Sequence, residues 1–88
     1  MGVSILMNGK DITPGWRSMM HGLLLDGFGT GSPYLTRSDI PALIELRDKQ
    51  RREVEEGPFA WSQEIADTFD RIIARIRKRG SATVTSVF

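Results

Sequence analysis

Residues 62–79, SQEIADTFDRIIARIRKR, followed at once by Gly80, are the most decisively patterned stretch of this chain. At about 100° per residue, Ile65, Phe69, Ile72, Ile73 and Ile76 fall on one narrow arc, with Glu64, Asp67, Asp70, Arg71, Arg75 and Lys78 on the other side. A helix so apolar along one edge has to be covered, and the rest of the chain must supply the cover. The pattern describes a core and not a reaction.

Working outward, Ser62 is the expected N-cap, Trp61 is placed to staple the chain against it, and a start near Pro58 is the alternative. Beyond Gly80, residues 81–88 (SATVTSVF) are rich in Thr and Val and read as a strand over 82–88. Its natural partner is the N-terminal stretch Gly2 to Met7, which is followed by Asn8-Gly9. Both turn residues accept the positive φ of a type I′ hairpin, so residues 2–12 read as a strand or short hairpin.

Two further helices complete the cover. Thr13-Pro14 has the form of a hydroxyl cap with proline at the first helical position. Trp16, Met19, Met20, Leu23 and Leu24 then recur at helical spacing, which predicts a helix over 14–26 closed by Gly27. Gly15, Ser18 and Gly22 give it a second, small-residue edge. After a Gly-rich loop over 27–35, Thr36 with Asp39 resembles a capping box, Ser38 is a rival cap, and a helix over 38–56 ends at Gly57-Pro58. Its apolar stripe fades halfway, because Arg47 and Gln50 project onto the same arc as Leu43 and Val54. The second half therefore extends beyond the body or packs on something polar.

The expected object is a single small α+β domain over 1–88. It is mostly α, with three helices and a small antiparallel sheet made from the two ends of the chain. The predicted core is Ile5, Trp16, Met19, Met20, Leu23, Leu24, Leu43, Leu46, Trp61, Ile65, Phe69, Ile72, Ile73 and Ile76. A chain of 88 residues buries roughly 60–65% of its unfolded surface, so self-association is a natural way to bury more.

The 40% apolar and 26% charged fractions are those of an ordinary globular domain, and a net charge of +1 gives no global pull toward nucleic acid or anionic membrane. No run approaches the ~18 apolar residues of a membrane span, and no basic segment precedes an apolar core as in a signal peptide. Without cysteine there is no disulfide framework and no thiolate metal site. A cytoplasmic setting is expected.

Chemistry-bearing residues are sparse. His21 is the sole histidine, and the nearest carboxylate, Asp26, lies about 140° around the helix, the wrong side to orient it as a base. No catalytic set, metal site or cofactor is expected. Phe28, Gly29, Thr30, Gly31, Ser32 and Tyr34 invite a phosphate-loop reading, with aromatics beside exposed backbone N–H groups. However, the run follows a helix and lacks the GK[ST] of a nucleotide loop. Glu45–Lys49, Asp48–Arg52 and Asp67–Arg71 are at i,i+4 with the acid first, the favourable order for surface pairs.

Two basic groupings remain. Arg71, Arg75 and Lys78 form a stripe on the outer face of the third helix, with Arg77 and Arg79 nearby; Arg47, Lys49, Arg51 and Arg52 cluster in the second. Cations near a helix C-terminus complement its dipole, but nine arginines against three lysines also suit recognition of phosphate or carboxylate. The leading functional expectation is a non-enzymatic protein-interaction module, a homodimer or a small inhibitor or adaptor of a larger assembly. Accessory proteins of phages and other mobile elements have this profile. The alternatives are nucleic-acid binding through Arg47, Arg51, Arg71, Arg75 and Lys78, and nucleotide or small-ligand binding at the Gly-rich loop.

Overall fold

The computed structural model describes residues 2–15, 17–56 and 61–87. Trp16, Phe88, the Gly57-Pro58 stop and the alternative start near Pro58 lie outside the described residues, as do the side chains of Val54 and Trp61. The elements run β1 (Ser4–Met7), β2 (Lys10–Asp11), α1 (Arg17–Phe28), β3 (Tyr34–Thr36), a short 3-10 turn (Arg37–Asp39), α2 (Ile40–Glu56), α3 (Trp61–Arg79) and β4 (Ser81–Val87). This is the expected mostly helical α+β architecture, with a sheet larger than the sequence suggested.

The hairpin forms as read. Met7 pairs with Lys10 across Asn8 and Gly9, whose φ of 50° and 83° are the two positive values this turn needs. β1 then pairs antiparallel with β4, Ile5 opposite Ser86 and Met7 opposite Val84, so the two ends of the chain share a sheet. The unanticipated strand is β3, taken from sequence as part of the loop. It pairs antiparallel with β4, Leu35 opposite Ala82, and completes the order β2-β1-β4-β3. Three residues are too short to show an alternation, so Leu35 betrays itself only by being fully buried.

One face of this sheet packs on the helices through Ile5, Leu35, Ala82 and Val84. Thr83, Tyr34 and Val87 on the other face are exposed, as an antiparallel sheet with one solvated side allows. α3 lies at the centre of the cover. Ile65, Phe69, Ile72, Ile73 and Ile76 are at most 1% exposed, and Phe69 is the largest fully buried side chain among the described residues. Gly80, at φ 89°, ends the helix by donating its N–H to the Ile76 carbonyl at 2.7 Å, and the chain turns directly into β4.

α1 departs most from expectation. Thr13 does not cap it: its hydroxyl accepts from the Ile5 N–H at 2.9 Å and donates to Asp11, which ties the segment to β1 instead. The helix continues past Gly27 to Phe28, and Gly29, at φ 74°, donates to the Leu25 carbonyl at 2.8 Å as the actual cap. Gly27 serves packing, since a Cβ there would lie 3.0 Å from Leu46 Cδ1 of α2. Met20 and Leu24 are buried, but Met19, expected in the core, is 41% exposed. α1 is covered along one edge alone, and Met19 sits about 100° from Met20. Leu23 and Leu46 pack against the core from half-buried positions, while Val3, Ile12, Leu35, Ala82 and Val84 join it from outside the predicted set. At the other end Ser62 lies inside α3, buried, its hydroxyl donating to Glu53 at 3.4 Å.

Two glycines separate space from strain. A methyl on Gly22 would meet nothing within 4 Å, so Gly22→Ala should raise stability by about 0.5–1 kcal/mol, as for a helical glycine with open surroundings. Gly31 lies buried under the His21 ring, which an added Cβ would strike. Gly31→Ala should cost about 1–3 kcal/mol. Urea denaturation of the two variants, with opposite shifts in midpoint, checks both.

Candidate functional site

The sequence nominated two basic clusters, and the fold separates them. Arg47 and Arg51 turn inward along the seam between α2 and α3 and share one carboxylate. Arg47 Nη1 donates to Asp70 Oδ1 at 2.9 Å, and Arg51 Nη2 donates to Asp70 Oδ2. Arg47 Nε also donates to Asp48 at 3.1 Å. The bond to Asp70 holds the Arg47 guanidinium above its ordinary range; burial opposes this and the bond to Asp48 adds to it. Thus α2 packs on something polar: its stripe continues from Leu43 through Arg47 to the buried Gln50. Glu45–Lys49, Asp48–Arg52 and Asp67–Arg71 do not close as ion pairs; the described pairs are Arg47–Asp48, Arg47–Asp70 and Arg51–Asp70. Asp48 is taken by Arg47, and Asp67 accepts from Gln63 at 2.8 Å. Surface pairs at helical spacing are worth only about 0.2–0.5 kcal/mol, too little to resist such competition.

Arg71, Arg75 and Lys78 are brought together, and two more cations join them. Lys10 arrives from the hairpin and Arg79 from the end of α3, around an open hollow of about 400 Å³ whose apolar lining includes Met7, Ile12 and Ala74. The two-residue turn explains Lys10: it stands opposite Met7, at the end of the hairpin that borders α3. None of these five cations forms an ion pair with a described residue. Arg75 is half-buried, and its Nε is buried with no hydrogen-bond partner among the described residues. An unsatisfied buried donor costs about 1–3 kcal/mol.

This hollow adjoins a second, of about 590 Å³, and the two share Ile12 and Arg71 in their linings. The character changes along the way. The second hollow is lined by Asp11, Glu64 and Asp67, with the 12–15 segment as its opposite wall. Glu64 holds that segment, accepting from the Gly15 N–H at 3.1 Å. Glu64, Asp67, Arg71, Arg75 and Lys78 therefore form one wall of two adjoining hollows, a groove acidic toward the start of α3 and basic toward its end. The span from Glu64 to Lys78 is about 21 Å at 1.5 Å per residue. Among the described residues no group of three or more His, Asp or Glu side chains stands where it could hold a metal ion, and no described helix is long and apolar enough to cross a membrane.

The Gly-rich loop is laid along β4. Phe28 packs against the core, Gly29 caps α1, Thr30 Oγ1 accepts from the Ser32 N–H at 3.1 Å, and Gly31 lies beneath His21. Ser32 Oγ accepts from the Ser86 N–H at 3.1 Å, and Ser86 Oγ donates to the Gly31 carbonyl at 2.6 Å. Tyr34 stands on β3, 66% exposed on the open face of the sheet. The loop and the groove are different places.

The fold and site define a one-sheet α+β protein with a charge-graded groove beside its central helix. No family model, no curated protein and no solved structure matches the chain.

If Asp70 is a structural anchor, Asp70→Asn should lower stability by about 1 kcal/mol, a modest value because its side chain is 36% exposed and water screens the pairs. The deficit should shrink in high salt. Urea titrations at low and high ionic strength measure it.

Proposed function

We propose that this protein is a non-enzymatic, cytoplasmic protein-interaction module, an adaptor or inhibitor that grips a charged segment of its partner in the groove along α3. The observation that carries the reading is the segregation of acid and base along one wall of one groove. A polyanion lying through the whole groove would meet Asp11, Glu64 and Asp67 after leaving the cations. A protein segment with its own charges in blocks meets complementary potential along its length, and such matching sets register and rejects wrong partners. The apolar floor beneath the cations gives the aliphatic stems of such a segment something to cover.

A second reading, nucleic-acid binding, is favoured by one feature: five cations that form no ion pair with a described residue crowd the basic half. Phosphates would then touch that half alone.

Fluorescence anisotropy separates the two. A peptide with a glutamate block followed by a lysine block should bind more tightly than the same residues in alternation, and Arg75→Glu with Lys78→Glu should abolish the preference. Equal affinity for block and alternating peptides sinks the lead reading. Retention of labelled duplex DNA, with log K falling against log salt at about 0.9 per phosphate contacted, would install the second in its place.

A further inference from the structure

We infer that the occupant of the groove is a second copy of this chain, with the two α3 helices antiparallel about a two-fold axis at Arg71. This rests on the interaction-module reading and names its partner. An isologous interface presents one patch to itself, so a patch of a single charge cannot form it. The α3 wall can. Glu64 and Lys78 lie seven residues to either side of Arg71, and Asp67 and Arg75 lie four to either side. Reversing the helix about Arg71 therefore sets every acid of the wall against a base: Glu64 to Lys78 and Asp67 to Arg75, twice over.

Spacing and size agree with this. Glu64, Arg71 and Lys78 recur every seven residues, with Asp67 and Ala74 between them. That is the spacing at which two helices share a seam at a shallow crossing angle. Ala74, exposed on the outer face three residues beyond Arg71, is small enough for the backbones to approach. At the axis the two Arg71 guanidinia have both Asp67 carboxylates within a turn, so the like charges there are neutralised. The hairpin repeats the gradient, Asp11 lining the acidic hollow and Lys10 the basic one.

Across the axis the half-buried Arg75 side chain faces the partner's Asp67, and a charge-assisted bond between the two is of the stronger kind. Asp67 and Glu64 already accept from Gln63 and from the Gly15 N–H, but a carboxylate has about four acceptor sites and keeps room for more.

Sedimentation velocity on the full chain from micromolar to millimolar concentration tests the arrangement, with circular dichroism confirming the fold of each variant. Wild type should self-associate, less so at high salt. Asp67→Arg and Arg75→Asp should each weaken the dimer by roughly ten- to a hundredfold. An equimolar mixture of the two should dimerise again, as should the D67R/R75D double variant, because both restore opposite charges across the axis. If Arg75→Asp does not fold, Lys78→Glu, on an exposed position, replaces it, with Glu64→Lys as its complement.

A wild-type monomer throughout, or a dimer indifferent to these swaps, overturns the inference. If that monomer still prefers the charge-block peptide, the groove serves a different protein and the interaction-module reading stands. Loss of both self-association and peptide preference removes both.

Discussion

The covering of α3's isoleucine and phenylalanine edge is the constraint on which the rest of this molecule depends. Five large side chains between Ile65 and Ile76 are withdrawn from water, each stabilising by about 1.5–3 kcal/mol relative to exposure. No single neighbour is wide enough to cover them. The sheet supplies Ile5, Leu35 and Val84, α2 supplies Leu43, and α1 supplies Met20 and Leu24. Because one arc of α3 must face inward, the opposite arc must face water, and the hairpin that borders it becomes the other wall of a groove.

That geometry also sorts the charges. α2 and α3 run against each other, and beside the apolar seam the gap between them is filled by Arg47, Arg51 and Asp70. Two cations sharing one carboxylate in a partly buried seam hold the helices in register. The cations of α3's outer arc close no such ion pair with a described residue. Their proximity to the helix C-terminus is favourable for the dipole, and Arg37 adds to the capping by donating to the Arg77 carbonyl at 3.5 Å. Dipole complementation accounts for residues 77–79 of the last turn. It does not account for Arg71 two turns earlier, nor for Lys10 converging from another element.

Much of this was legible beforehand, for local reasons. The positions of α2 and α3, the Asn8-Gly9 turn, the Gly80 cap and the pairing of the two chain ends follow from periodicity and turn chemistry, which depend on neighbours a few residues away. The misreadings have non-local causes. Thr13-Pro14 has the form of a helix start, yet the Thr13 hydroxyl is claimed by Ile5 in a strand eight residues back. Gly27 has the form of a cap, yet its smallness is used by Leu46 on another helix. Tyr34–Thr36 has no pattern at all until β4 lies beside it.

The candidate site divides in the same way. The sequence by itself determined that Arg71, Arg75 and Lys78 share one face of one helix, because helical geometry relates residues three and four apart. It determined equally that Glu64 and Asp67 precede them on that face. Only the tertiary structure decided that Arg47 and Arg51 pair with Asp70, that Lys10 and Arg79 complete the basic end, and that acid and base line adjoining hollows. Those outcomes depend on which helix faces which, set by long-range burial around Phe69, and a solvent-facing charge carries no mark of what will come to rest beside it.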